Sequence, residues 1–252
     1  MGRDEQDRAD STWCVSSDWS GLCWAGGVAA LILTVYSLAT MVQLVTVGGQ
    51  PATAAEAFSL LQSNKLLGLV RLDLPTVLAM PLYYLVFLGL FAALRRAEPV
   101  YAIVSTGLAF VGVTLLLATP GPLSMIPLSE KYAAAATEST RGQFQAAGEA
   151  ILAADIWHGT GAMLGGFLLQ CGAVMVSVAM LRSKVFGRGI ACVGIVTHGL
   201  DLAHIIVGRF APVAGVVLMA IAGPVYLIWF PLVGRRLLQL GRGGSSPPAL
   251  YG

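Results

Sequence analysis

Seven side chains in this sequence could do chemistry: Arg71, Asp73, Asp155, His158, His198, Asp201 and His204. Their spacing is the informative part. His198, Asp201 and His204 form an HxxDxxH stripe, and Asp155 with His158 repeats the same three-residue step. On an α-helix, residues three apart share a face, so each set projects from one side rather than around the circumference. Two imidazoles and a carboxylate on one face can ligate a metal, hold a histidine in orientation for proton transfer, or satisfy one another as a polar stripe. Asp–His and Asp–Arg pairs between membrane helices also act as plain structural glue. Three readings therefore stand side by side: structural pairing, a ligand cavity, and a metal or haem centre.

The elements that position these residues must lie in a bilayer. The chain has 252 residues, 56% hydrophobic and 11% charged, with mean hydropathy +0.77, far from the quarter or so of charged residues in soluble domains. Six apolar stretches, at 24–47, 66–94, 100–118, 156–181, 189–207 and 212–233, reach or approach the ~20 residues that cross a hydrocarbon core. In lipid each backbone must satisfy itself, and no short alternating segments of a barrel occur, so the predicted fold class is all-α: a polytopic membrane protein of six transmembrane helices. The predicted organisation is a polar tail over 1–20, a six-helix domain over 21–240 and a Gly/Ser/Pro tail over 241–252.

Orientation follows from the cations. Ten of the fifteen Lys and Arg fall in the N-terminal tail, at 95–96, at 182–188 and at 235–242. The positive-inside rule then places both termini in the cytoplasm. Asp73, His158, Asp201 and His204 are predicted to share one layer, about 5–10 Å from the outer boundary at ~1.5 Å per residue. An ionisable group in hydrocarbon costs roughly 2.5–3.5 kcal/mol, which makes such a layer a functional candidate facing the bundle interior.

Local signals refine the picture. Thr53-x-x-Glu56 is a capping-box pattern ahead of an apolar stripe, predicting a short amphipathic helix over 53–63 lying in the outer interface. The alanine-rich segment 143–154 is expected to extend the fourth span, and Pro75 and Pro81 to kink the second. Arg71 and Asp73, two apart, must diverge; Arg71 is expected to snorkel to headgroups, and Asp73 to pair with His158 or His204. Gly161-x-x-x-Gly165 and Ala162-x-x-x-Gly166 are expected to pack the fourth helix on the fifth. Trp13, Trp19, Trp24 and Trp229 fit an interfacial aromatic belt. Cys14, Cys23, Cys171 and Cys192 show neither CxxC nor zinc-knuckle spacing.

The runs RLDLPTVLAMPLYYLVFLGLFAALRR, MLRSKVFGRGIACVGIVTHGLDL and YLIWFPLVGRRLLQLGR resemble the second span, the fourth-to-fifth hinge and the last span of bacterial six-helix proteins of the domain-of-unknown-function family 4386. The resemblance spans about residues 22–242. It implies a multi-pass protein of the bacterial inner membrane and brings no established catalytic residues with it.

Two functional classes follow. The first is a membrane-embedded protein whose outer-facing His/Asp pocket binds a small molecule, ion or lipid headgroup. The second is an intramembrane metal-dependent enzyme, in which His158, His204 and Asp201 hold a divalent metal such as zinc and activate its water. A haem-binding electron-transfer protein is a third, weaker option. The expected partners are the bilayer and a small or lipid ligand, with room for an oligomer. No phosphate-binding loop and no basic surface interleaved with aromatics occurs in the sequence, so nucleotide hydrolysis and nucleic-acid binding are not supported.

Overall fold

The computed structural model describes residues 17–243, so the expectations for Cys14, Trp13 and most of the two tails lie outside it. Among the described residues the chain is helical throughout, with no strand. In chain order the helices are α1 (Ser17–Thr46), α2 (Ala54–Ser63), α3 (Lys65–Arg71), α4 (Leu74–Ala79), α5 (Leu82–Leu94), α6 (Pro99–Leu117), α7 (Met125–Ala134), α8 (Glu138–Ala153), α9 (Thr160–Arg182), α10 (Arg188–Val207) and α11 (Pro212–Gly243), with a 3₁₀ turn at Pro122–Ser124.

Six helical stretches, among them Trp19–Thr46, Leu74–Leu94, Arg188–Val207 and Pro212–Arg242, are long and apolar enough to cross a membrane. The chain is thus an all-α, six-span membrane protein. Large apolar side chains such as Val35, Val45, Val213 and Val216 stand exposed on these helices. Water would penalise that surface, whereas lipid tails solvate it.

The chain falls into two compact units. The first comprises Met1–Val35, Leu82–Phe110 and Leu169–Gly252, and the second comprises Tyr36–Pro81 and Val111–Leu168. The first has a core of Leu33, Leu90, Leu94, Trp229, Phe230 and Leu237, all sealed from the surface. Helices α1 and α5 touch through bare backbone, because a Cβ on Gly26 would come within 2.7 Å of the Leu85 carbonyl oxygen and 3.0 Å of Gly89 Cα. Such approach needs glycine on both sides.

In the second unit, Thr53 caps α2 by accepting from Glu56 N at 3.2 Å, and Glu56 reaches back to Ala52 N at 3.0 Å, as the capping-box pattern predicts. The location of α2 differs from the expectation. Its apolar face, Ala54, Ala57, Phe58 and Leu61, is buried with Leu72, Met125 and Leu152 in a core of its own. The stripe read as an interfacial anchor is satisfied by α7 and α8, since a helix face can be covered by protein as well as by lipid.

Two spans begin or break where local polar groups compete with the helix, and a third runs longer than expected. The second span, predicted as 66–94, is interrupted twice, and its continuous apolar part is Leu74–Leu94. Asp73 sits at φ 66°, ψ 34°, the left-handed region, the one positive-φ residue other than glycine among those described. Asp tolerates that region better than most residues. Pro75 stands in the first turn of α4, where its missing donor is tolerated, and Pro81 removes a further backbone donor at the second break. The fourth span starts at Thr160 rather than 156, and α8 ends at Ala153 instead of running into it. The sixth span runs on well past residue 233, with Pro224 and Pro231 inside.

Helix contacts also correct the small-residue reading. Gly161 and Gly165 of α9 face α6, not α10: a Cβ on Gly165 would lie 2.7 Å from Gly112 O and 2.9 Å from Leu116 Cγ. The α9–α10 contact does form, but at Ser177 and Gly194.

Candidate functional site

The HxxDxxH stripe lies on α10 in the first unit, and its members are bound by α9 and α11. Gln170, partway along α9, is the hub. Its Nε2 donates to Asp201 Oδ2 at 2.6 Å and to Tyr226 Oη at 3.1 Å. Tyr226, on α11, donates to the same Asp201 Oδ2 at 2.9 Å. Gln170 Oε1 lies 2.8 Å from His198 Nδ1. A carbonyl oxygen only accepts, so this hydrogen-bond network assigns the proton to Nδ1 and leaves Nε2 a bare acceptor.

His198 is 1% exposed. Its ring meets Trp229 edge to face, with centroids 4.4 Å apart and planes at 89°, and Tyr226 at 5.4 Å and 76°. Neither His198 Nε2 nor Trp229 Nε1 has a hydrogen-bond partner. Trp229 is itself 1% exposed, which corrects its assignment to an interfacial belt. The indole can lie there because α10 presents Gly194, where a Cβ would come 2.5 Å from Trp229 Nε1 and against Ser177 Oγ.

Asp201 is held asymmetrically. Both of its donors reach Oδ2, and Oδ1 accepts no hydrogen bond from the described residues. One turn further along α10, His204 Nδ1 donates to the Gly215 carbonyl at 2.9 Å, which leaves its Nε2 as an acceptor. Asp201 and His204 are both only partly buried.

The remaining candidates lie in the second unit. Asp73 Oδ1 accepts from Thr76 Oγ1 at 2.5 Å, and Thr76 also bonds Tyr36 Oη at 2.5 Å. Asp73 Oδ2 accepts from Trp157 Nε1 at 2.7 Å. The partner is thus Trp157, adjacent to the expected His158. Asp155 Oδ1 accepts from Trp157 N at 2.9 Å, His158 N at 3.0 Å and His158 Nδ1 at 2.9 Å, and Gln50 Nε2 donates to Oδ2. The predicted Asp155–His158 pair exists, but in a turn, because the carboxylate takes the backbone donors that a helix would use. Arg71 donates to Gly49 O and to Glu56 Oε1, each at 2.9 Å.

The structure therefore joins His198 with Asp201 through Gln170 in the first unit, and Asp155 with His158 in the second. Among the described residues no group of three or more His, Cys, Asp or Glu is disposed to hold a metal ion, and the centre expected from His158, Asp201 and His204 is not such a group. The residues that sequence reasoning passed over are Gln170, Tyr226, Trp229, Trp157 and Thr76. Gln170 carried a readable signal, being an amide inside an apolar span, where a polar group must find a partner. No protein-family model, curated protein or solved structure matches this chain.

Proposed function

We propose that this protein is an integral membrane binding protein whose site is the Asp201–His204 turn of α10, and that it takes a small cation or a ligand presenting a charged hydrogen-bond donor, of which ammonium and a primary amine are the simplest forms. The observation that supports this is the one-sided holding of Asp201. Gln170 and Tyr226 fix Oδ2, so the carboxyl group is aimed, while Oδ1 stays open one helical turn from His204, whose Nε2 is a further acceptor. Two acceptors fixed by other helices and not satisfied by the protein are complementary to a donor ligand. Purely structural glue would consume both oxygens, as Asp73 and Asp155 do in the other unit.

In this reading the protein sits in a bacterial inner membrane with both termini cytoplasmic, as the Lys/Arg asymmetry and the family resemblance suggest, and the site opens toward the outer side. The test is thermal unfolding of the purified protein in nanodiscs against Na⁺, ammonium and n-butylamine. One of these is expected to raise the Tm of the wild type and to leave Asp201→Asn unmoved. Equal responses of the wild type and Asp201→Asn to all three would refute the proposal.

A further inference from the structure

One end of the first unit carries cations almost alone. Four segments meet there: the start of α1, with Trp19 against Arg95 and Ser20 against Gly241, the turn after α5, the connection from α9 to α10, and the last turns of α11. The last three hold eight Lys and Arg against one carboxylate with a described side chain, Glu98. That carboxylate is already taken, accepting from Arg182 Nε at 3.2 Å. The same contact ties the α9 end to the turn after α5, and Arg236 Nε, donating to Val185 O at 2.8 Å, ties the connection to α11. The segments are thus bound to one another. Lys184, Arg188 and Arg235 are exposed and make no hydrogen bond or ion pair with the described protein.

The neighbours of these cations are apolar and exposed. Val100, Leu181 and Leu232 stand 70%, 39% and 36% accessible on the helices that end there. A soluble polyanion would meet the cations and leave that surface bare. A molecule with a phosphodiester head and acyl chains would cover both.

We infer that this end is a docking surface for anionic phospholipid headgroups of the surrounding bilayer, with Lys184, Arg188 and Arg235 as its open phosphate-binding side chains and exposed aliphatic residues of the adjoining spans meeting the acyl chains. The surface is independent of the Asp201 site and of the ligand proposed there. Phosphate neutralises cations that the protein leaves unpaired, and the acyl chains lie where apolar side chains already need lipid.

The experiment is native mass spectrometry of the full chain released from nanodiscs of phosphatidylcholine with increasing phosphatidylglycerol, counting retained lipids. Wild type is expected to keep phosphatidylglycerol selectively. The triple variant Lys184→Gln/Arg188→Gln/Arg235→Gln should weaken that retention by about tenfold or more, because each cation near an anionic surface contributes several-fold. The same three changes at Lys65, Lys131 and Arg141 should leave it intact. Size-exclusion and circular dichroism profiles show whether each variant is folded, and single Gln variants give the graded loss if the triple is not. Three results overturn the inference: equal retention of the two lipids by wild type, equal loss from both triple variants, or retention that appears only after removal of residues 2–16. The last would assign the surface to the chain's own acidic N-terminal segment.

Discussion

Trp157 Nε1 donates to Asp73 Oδ2 at 2.7 Å, joining the turn that precedes α9 to the left-handed residue that breaks the second span. Asp73 is held in a costly conformation by groups on three segments, since Thr76 and, through it, Tyr36 grip the other oxygen. Replacing Trp157 with Phe keeps the ring and deletes one donor to a buried carboxyl group. The expected loss is about 1–3 kcal/mol. Unfolding in detergent, with Trp157→Phe and Asp73→Asn combined in a double-mutant cycle, should show the two changes to be strongly non-additive; independent effects would mean the bond does not hold the break.

Gln170 supports three contacts at once, to His198, Asp201 and Tyr226. Gln170→Leu should destabilise the fold by about 1–2 kcal/mol, near the upper end for membrane hydrogen bonds, because it strands two polar partners together. Adding Asp201→Asn to Gln170→Leu should cost little more. The check is unfolding in mixed micelles, where additive losses would count against a shared network.

Two glycines on α10 make opposite predictions. A Cβ on Gly194 would run into Ser177 Oγ and Trp229 Nε1, whereas Gly199 has nothing within 4 Å. Gly194→Ala should therefore cost about 1–3 kcal/mol through overpacking. Gly199→Ala should be neutral, or stabilise by up to ~1 kcal/mol through helix propensity. The Tm values of the two variants, measured side by side, decide this, and a milder penalty at Gly194 than at Gly199 would contradict the packing described.

The core beneath α2 gives a further test. Phe58 is fully buried against Tyr132, with ring centroids 5.2 Å apart, and Gly148 makes room for it. Phe58→Ala should cost about 3–5 kcal/mol, the value for a protein core. A helix lying on the bilayer would instead lose membrane affinity with little change in unfolding, so hydrogen exchange across 54–63 and 125–134 distinguishes the two.

Much of this molecule was legible in its residues because a bilayer leaves few alternatives. A run of ~20 apolar residues in lipid must be helical, and so the six spans, the capping box at Thr53 and Glu56, and the pairing of Asp155 with His158, though not its turn, could be read from composition and spacing. Partners could not, because a side chain's period names the face it occupies and not the helix opposite. Gly165, expected against the fifth span, meets Gly112 of the third; Trp229, expected in an aromatic belt, covers His198; Asp73, expected to pair with His158 or His204, bonds Trp157. Breaks at Asp73 and Asp155 escaped notice for a related reason: both carboxyl groups lie in otherwise helical patterns, and only the surrounding donors make leaving the helix favourable. The partners of Asp201 and His158 were likewise a matter of packing, and only the tertiary structure gives Asp201 to Gln170 and Tyr226, and His158 to Asp155.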